Sequence, residues 1–357
     1  MLKHPYQSTI VQIATPYLIG TGFCLNEDGI IVTNEHIVRD SRRVVVDHPI
    51  QGKQLGEVIY LDAKRDLALL RVAKKYNVPT IKIQQGKSLL PGTEVYALGA
   101  MEIAEESFKK GAVLVTDVDI DEVLYISHTA ILNGSDSGGP LLDVNGFLLG
   151  VNTFIMKGGE MRGLSLPVSF LKEALAQLEP GTRRTSARCY NCGTISYDDN
   201  PLGETCPGCK EELQLPGLIP PYKPFGVAAT IEALLAETVD EVALTRRGPN
   251  CWQVQQGSAI INISYYEKNG LIVGDAHLCV LPVEDNEALF IYLLKQNYKI
   301  ENLSFSIRNG DIVLSLMIYD RYLNERTGYR LFQYLFQQAD GFDNILVEQY
   351  GALWKEV

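Results

Sequence analysis

The sequence lacks a long apolar run and carries few basic residues. No stretch of its 357 residues approaches the roughly 18–20 apolar residues that a membrane helix requires, so no membrane association is predicted. The net charge is −11. Because nucleic-acid affinity comes largely from Lys and Arg, binding to DNA or RNA is not expected. Residues 1–22 contain no apolar core behind a basic start, so we expect no secretory signal and a cytoplasmic location.

Cysteine is scarce outside one cluster. The chain has seven cysteines, an odd number with uneven spacing, which argues against a disulfide framework and for a reducing compartment. Four of them fall close together in the sequence: Cys189, Cys192, Cys206 and Cys209. The other three are isolated: Cys24, Cys251 and Cys279.

The length suggests two or three domains at about 100–200 residues each. Up to about residue 165, short runs of Val, Ile, Leu and Tyr alternate with Gly, Asn, Asp and Pro turns, which predicts a β barrel or sandwich followed by one closing helix. The predicted segments are an all-β domain over 1–181, a polar linker over 182–188, a cysteine-rich segment over 189–212, a Pro-rich linker over 213–225 and a last domain over 226–357.

The last domain follows the order helix, strands, helix, hairpin and helix, which predicts an α+β fold. Asn309-Gly310 lies between two apolar runs and predicts a tight hairpin turn. The run VALTRR over 242–247 predicts a strand. Asp275 and His277 share one face of another predicted strand, an arrangement that is more often coincidental than a catalytic pair.

Three local patterns carry reactive side chains: His36 in GIIVTNEHIV, Asp66 in KRDLALLRV and Ser137 in NGSDSGGPLLDVNGFLLGV. A serine hydroxyl is a weak nucleophile and needs an adjacent base, which imidazole can provide. A carboxylate then fixes the imidazole tautomer and stabilises its protonated form. Gly138 and Gly139 allow a tight turn after the serine.

In this order, the three patterns resemble the trypsin-like peptidases, which have the chymotrypsin fold, and most closely their HtrA/Deg branch. The matching stretches are GTGFCLNEDGIIVTNEHIV, RDLALLRV and SDSGGPLLDVNGFLLGVNT. The resemblance covers about residues 8–178. It implies an all-β double-barrel protease domain, with Ser137 as nucleophile, His36 as base and Asp66 as the group that orients the base.

The same resemblance implies an oxyanion hole made of the backbone N–H groups of Ser135, Asp136 and Ser137. The family normally has glycine two residues before the nucleophile, whereas this chain has Ser135. A side chain disfavours the positive φ that glycine adopts there. The hole is therefore expected to be partly formed, or to form only when substrate or a partner binds.

The resemblance also implies a specificity pocket. Ile131 would form its base, and because no acid stands there, the pocket is predicted to favour apolar side chains. The implied walls are Asn152, Thr153, Phe154, Gly163 and Ser165.

The cysteine cluster has metal-ligand spacing. Two C-x₂-C pairs are separated by thirteen residues, a pattern that fits tetrahedral Zn²⁺ with four thiolates and resembles a zinc ribbon. Four protein ligands leave no open position, so the predicted zinc is structural. Such a small unit would obtain its folding energy from the metal. Two redox-active pairs or free thiols are the alternative.

The order of elements over 226–350 resembles type III secretion chaperone-like domains, including YbjN-type domains, which implies binding of a peptide or partner protein. The whole chain is therefore predicted to be a serine endopeptidase that acts on protein or peptide substrates, with a C-terminal domain that recognises the substrate or an activating partner. The alternative is a catalytically weak or latent protease-fold binding protein that a partner activates. Asp136, next to the nucleophile, is a candidate switch for such latency.

Overall fold

The computed structural model of the protein describes residues 5–25, 29–83, 89–100, 108–153, 156–157, 160–161, 163–177, 184–257, 259–283 and 286–354. The chain divides into two compact units, Met1–Tyr222 and Lys223–Val357. No helix within these described ranges combines the length and apolar character that crossing a membrane would need.

A closed six-stranded antiparallel barrel begins the first unit. Its strands are β1 (Ile10–Ala14), β2 (Ile19–Cys24), β3 (Ile30–Thr33), β4 (Arg43–His48), β5 (Gly52–Asp62) and β6 (Leu67–Val72). The barrel closes because β5 pairs with both β4 and β6. A one-turn helix, α1 (Glu35–Val38), follows β3. Gly29, before β3, has a positive φ of 77°.

A second barrel follows and also contains six antiparallel strands. The elements in this region are β7 (Lys82–Ile83), β8 (Glu94–Leu98), β9 (Phe108–Ile120), β10 (Val123–His128), β11 (Pro140–Asp143), β12 (Phe147–Thr153), β13 (Met156–Lys157), β14 (Glu160–Met161), β15 (Gly163–Pro167) and the closing helix α2 (Val168–Gln177). The barrel order is β11-β8-β9-β10-β15-β12, closed by pairing between β11 and β12. The predicted double barrel is confirmed.

Two short strands join the cysteine-rich segment to the first barrel. They are β16 (Ser186–Arg188) and β17 (Ile195–Tyr197). Strand β16 runs parallel to β5, and β17 pairs with β16 on its other side. The prediction of a linker over 182–188 is therefore wrong for residues 186–188, because they pair with the part of the β5 edge that β4 leaves uncovered.

The Pro-rich segment over 213–225 was also predicted to be a linker, and its first part is not one. Leu213, Leu215 and Ile219 are buried in the same apolar cluster as the first barrel. The compact unit ends only at Tyr222, so the change of unit falls near the end of the predicted linker.

The second unit contains an antiparallel sheet and three helices. Its elements are α3 (Gly226–Ala236), β18 (Cys251–Gln256), β19 (Ala259–Tyr266), β20 (Leu271–Val280), α4 (Glu287–Lys299), β21 (Leu303–Arg308), β22 (Asp311–Tyr319), α5 (Glu325–Tyr350) and β23 (Leu353–Trp354). The sheet order is β18-β19-β20-β22-β21, with β23 pairing with β20. The three helices and the sheet share one apolar core.

Two local predictions in this unit have different outcomes. The hairpin at Asn309-Gly310 is confirmed: both residues have positive φ, and Arg308 pairs with Asp311. The predicted strand over 242–247 is wrong, because Val242–Thr245 forms a 3₁₀ turn. The Thr245 hydroxyl donates to the Val242 carbonyl at 2.7 Å, which satisfies that carbonyl locally.

Candidate active site

His36 and Asp66 are joined by hydrogen bonds in the first barrel. His36 lies in the one-turn helix α1, and Asp66 lies in the turn before β6. The His36 Nδ1 atom is 2.9 Å from both carboxylate oxygens of Asp66, and the His36 backbone N–H donates to Asp66 Oδ1 at 2.9 Å. A hydrogen on Nδ1 leaves the Nε2 lone pair of His36 available to accept a proton.

Two further contacts fix the position of Asp66. The Asn34 side-chain amide donates to the Asp66 carbonyl at 2.8 Å, and the Thr153 hydroxyl donates to Asp66 Oδ2 at 3.0 Å. Asp66 has φ 51°, which is uncommon for a residue with a side chain. Because Thr153 ends β12, this contact links the two barrels at the carboxylate. The sequence resemblance had placed Thr153 in the pocket wall and did not predict this hydrogen bond.

Ser137 lies in a buried turn that packs against the segment leading to His36. Its carbonyl accepts a hydrogen bond from Thr21 N at 2.9 Å. Gly138 follows with φ 90°. A Cβ on Gly138 would overlap the Thr21 carbonyl oxygen and lie 3.1 Å from Asn34 N. Only glycine fits this position, and the turn that carries Ser137 therefore lies against Asn34, the residue just before α1.

The predicted oxyanion turn is a short 3₁₀ helix, Gly134–Asp136. Ser135 does not have the positive φ of the glycine it replaces. The Asp136 N–H donates to the Asn133 carbonyl at 3.1 Å, so it is engaged within the turn, and its predicted role as an oxyanion donor stays a prediction. The Thr21 hydroxyl donates to the Ser135 carbonyl at 2.6 Å and holds the turn. Ser135 and Ser137 remain as candidate donors.

Asp136 is 1% exposed and is paired with a lysine from the second barrel. Lys109, on β9, places Nζ 2.5 Å from Asp136 Oδ2, and Asn133 N donates to the same oxygen at 2.7 Å. Within the described residues, Asp136 Oδ1 is buried without a hydrogen-bond partner. A Cβ on Gly99 would overlap Oδ1, so glycine is required there. No local pattern in the sequence indicates the Lys109 contact, because the two residues are 27 positions apart.

Asn152 and Ser165, two of the predicted pocket-wall residues, are fully buried and hydrogen-bonded to each other. The Ser165 hydroxyl donates to Asn152 Oδ1 at 2.9 Å and lies 3.0 Å from His128 Nε2, which must then carry a hydrogen. Burial lowers the pKa of His128 to about 4, so this ring is neutral near pH 7. A Cβ on Gly163 would collide with the same ring. His128 thus fills the space beside these walls.

Ile131, the predicted base of the pocket, lies at the surface. Its side chain is 68% exposed, and its place at the base of a specificity pocket stays a prediction. The reason for the exposure is that burial alternates along this segment: Ala130 and Leu132 point into the core, and Ile131 between them points outward. Phe154, the remaining predicted wall residue, lies outside the described residues.

Glu35 is a buried acid directly beside His36. Burial raises the pKa of the Glu35 carboxyl to about 7, and the nearby Arg39 guanidinium opposes this rise. The Arg39 Nη2 atom lies 2.9 Å from Glu35 Oε2. The charge next to the His36 imidazole therefore changes near neutral pH.

The four clustered cysteines bring their sulfurs together. All four Sγ atoms lie within 4.8 Å of one another. Cys189 Sγ is 3.5 Å from Cys209 Sγ, and Cys192 Sγ is 3.6 Å from Cys206 Sγ. Zn–S bonds of about 2.3 Å in a tetrahedron place the sulfurs about 3.8 Å apart, so the donor set fits Zn²⁺.

Asp275 and His277 do not contact one another in the second unit. His277 Nδ1 is 3.0 Å from Asp311 Oδ2, whereas Asp275 accepts from the Ser315 hydroxyl at 2.6 Å and pairs with Arg308. Each group is satisfied separately within the sheet, so the two do not form a catalytic dyad.

Comparisons with known proteins agree with the geometry of the first unit. Residues 20–151 match the family model described as "Trypsin-like peptidase domain". Serine protease HTRA1 of Xenopus tropicalis is 29% identical over 172 residues, covering 45% of this chain and 36% of HTRA1. A probable periplasmic DegP-like serine endoprotease of Pseudomonas putida (strain W619) is 31% identical over 154 residues, covering 42% of this chain and 32% of that protein.

A solved serine endoprotease from Yersinia pestis is 23% identical, with a TM-score of 0.43, and the match covers 51% of this chain and 67% of that one. The chain spans about a third of the length of the two curated relatives described above. The family-model match and the two curated relatives support a trypsin-like peptidase domain within the first unit, similar in sequence to those of HtrA- and DegP-type proteases.

Proposed function

We propose that the protein is a serine endopeptidase that cleaves protein or peptide substrates through an acyl-enzyme. The observation that carries this proposal is the doubly hydrogen-bonded His36–Asp66 pair, with the Ser137 turn packed against the start of the helix that holds His36. The trypsin-like domain match over residues 20–151 supports the same chemistry.

In this proposal, the Ser137 hydroxyl attacks the scissile carbonyl while His36 Nε2 takes its proton. Asp66 holds the imidazole by Nδ1 and stabilises its positive charge. The N–H groups of Ser135 and Ser137 stabilise the oxyanion. His36 then gives the proton to the leaving amine, and an ester forms on Ser137. Water attacks this ester with the same proton transfers, releasing the acid and restoring the serine.

The proposal includes a structural zinc ion bound by Cys189, Cys192, Cys206 and Cys209. The short sulfur–sulfur distances support it, because four thiolates can satisfy one tetrahedral Zn²⁺ completely. Thiolate ligands must stay reduced, which agrees with the proposed cytoplasmic location.

We assign the C-terminal unit a role in recognising the substrate or an activating partner, as its resemblance to chaperone-like domains implies. Helix α4 supports this role, since apolar side chains lie on its outer face. They include Phe290, Ile291, Leu294 and Tyr298, the last of which is 93% exposed. Exposed apolar side chains grouped on one face are common at protein-binding surfaces.

Latency is the second candidate, and the 3₁₀ turn favours it. The Asp136 N–H is hydrogen-bonded to the Asn133 carbonyl, and Ser135 does not have a positive φ. The turn therefore differs from the one that a glycine at residue 135 would allow. A catalytically weak or latent protease-fold protein, activated when a partner reshapes this turn, would have this geometry.

Cleavage of an unfolded protein such as casein tests the proposal. Ser137→Ala should reduce turnover by about 10⁴-fold or more while leaving the protein folded, because it removes the nucleophile. The matched control is Ser127→Ala, which removes a buried hydroxyl that has no hydrogen-bond partner within the described part of the chain. Equal turnover by wild type and Ser137→Ala would refute the assignment. A folded wild type that cleaves only after a partner is added would support latency.

A further inference from the structure

The cysteine-rich segment is built into the first barrel. Strand β4 covers one edge of β5 only from Gly52 to Glu57. Beyond that point β16 covers the same edge, with Ser186 opposite Tyr60 and Arg188 opposite Asp62. The first of the four clustered cysteines, Cys189, follows β16 directly. A ligand that fixes the position of Cys189 would therefore also keep β16 paired with β5.

The cysteines also belong to the barrel's core. Cys189 and Cys206 are buried in the same apolar cluster as Val46 and Leu61 of the barrel. The two cysteine-containing turns are tight: Gly193 N donates to the Cys189 carbonyl at 3.0 Å, and Lys210 N donates to the Cys206 carbonyl at 3.0 Å. A segment this short gains little burial of its own, so a bound metal ion would supply much of its stability.

Arg188 connects this segment to the barrel and to the closing helix α2. Its Nε lies 3.3 Å from Asp62 Oδ2, and Asp62 is fully buried. Its Nη2 donates to Glu173 at 2.7 Å and to Gln177 at 2.8 Å, both on α2. Its Nη1 donates to the carbonyl of Gly193, inside the first cysteine turn. One guanidinium therefore ties the cysteine turn to two elements of the peptidase domain.

Asp62 begins the turn that presents Asp66. Burial raises the pKa of the Asp62 carboxyl, and the nearby Arg65 and Arg188 guanidinium groups oppose this rise. Arg65 N donates to Asp62 Oδ1 at 3.2 Å, which closes the turn just before Asp66. Leaving a buried carboxylate without one of its cationic partners costs free energy. The turn therefore depends on Arg188 remaining in place.

We propose that Zn²⁺ bound by the four cysteines holds β16 and Arg188 against Asp62, and that the metal thereby positions Asp66 for the proposed peptidase. We call this arrangement the clamp: the zinc site would hold the turn from Asp62 to Asp66 in place. Arg188 is a positioning residue, since it touches neither substrate nor the reacting atoms. The catalytic part of this inference rests on the proposed serine endopeptidase activity, whereas the structural part does not.

The full-length protein tests the clamp by three measurements: zinc content, amide hydrogen exchange over Tyr60–Val72, and the rate of labelling by a fluorophosphonate. We expect about one Zn²⁺ per chain. Removing it with a chelator should speed exchange over this segment and slow labelling by roughly ten- to a hundredfold, because small misplacements of catalytic groups are costly. Added Zn²⁺ should restore both. Cys209→Ser should behave like the chelated protein, and Cys251→Ser, a cysteine of the second unit, like wild type.

Arg188→Gln separates the clamp from a general loss of stability. This variant should retain zinc yet show the faster exchange and slower labelling of the metal-free protein. Zinc-free wild type with unchanged exchange over Tyr60–Val72 would overturn the inference, as would a chain that binds no zinc. If no form is labelled but exchange still depends on zinc and Arg188, the structural clamp stands and the proposed peptidase activity fails.

Discussion

Asp136 is a buried carboxylate beside the proposed nucleophile, and Lys109 is its ionic partner at 2.5 Å. The Lys109 side chain is 20% exposed, so both charges are largely removed from water. Breaking a buried pair by removing one partner typically costs about 3–5 kcal/mol, because the remaining charge is left uncompensated. The shape of the turn from Asn133 to Ser137 therefore depends on a residue in another strand.

Lys109→Met should destabilise the first unit by roughly 3 kcal/mol and slow fluorophosphonate labelling, because the buried Asp136 carboxylate would lose its cationic partner and the turn before Ser137 would shift. Urea unfolding and labelling rates measure the two effects. Lys110→Met is the matched control on the same strand: its pair with Glu94, at 2.6 Å, is exposed to water and should contribute far less to the free energy of unfolding. Equal effects of the two substitutions would contradict the importance of the buried pair.

The sequence predicted residues that carry local patterns and missed those whose roles depend on distant partners. His36, Asp66 and Ser137 each lie in an ordered motif, and the structure joins His36 with Asp66. Thr153 and Lys109 act through residues 87 and 27 positions away, so only the packing of the strands reveals them. Candidate roles that followed from chemistry at one position were thus accessible, and contacts between segments far apart in the sequence were not.

Strand β16 illustrates the same limit at the level of elements. This strand has only three residues and is partly polar, so its own sequence does not predict an extended conformation. These residues form a strand because β4 leaves the edge of β5 uncovered beyond Val58, and β16 supplies the backbone hydrogen-bond partners there. The hairpin at Asn309-Gly310 is the opposite case, since two positive-φ residues in a row determine the turn locally.

Two glycine substitutions in the second unit should have opposite effects. Gly310→Ala places a side chain at φ 86° in the hairpin and should cost about 1 kcal/mol or more. Gly341→Ala lies within helix α5, where a new Cβ meets nothing within 4 Å, and should stabilise by about 0.5–1 kcal/mol. Thermal unfolding of the two variants measures the difference. Stabilisation by Gly310→Ala would contradict the assigned turn.

Each of the two units has its own apolar core. In the first, one cluster lines the first barrel and the cysteine-rich segment, and further clusters line the barrels and α2. In the second, the sheet packs with the three helices. Because burial within each unit is extensive, each is expected to fold as a domain. The proposed catalytic groups and the proposed zinc ligands all belong to the first unit.

A protein truncated after Tyr222 should therefore remain folded and keep its fluorophosphonate labelling within about threefold of the full chain. If the second unit recognises substrates, casein cleavage should fall by at least about tenfold, since binding energy from remote contacts is lost. Circular dichroism, labelling and casein turnover provide the comparison. An equal loss of labelling and of casein cleavage would instead indicate that the second unit supports the active site itself.

The most direct test of the account is to map the site of covalent modification after the full-length, zinc-replete protein reacts with a fluorophosphonate. Such a reagent reacts with a serine that an adjacent base activates. Peptide mass spectrometry should find the adduct on Ser137, and His36→Ala should abolish it. An unmodified Ser137 in folded wild-type protein, even with casein present, would contradict the proposal that His36, Asp66 and Ser137 form a working catalytic site.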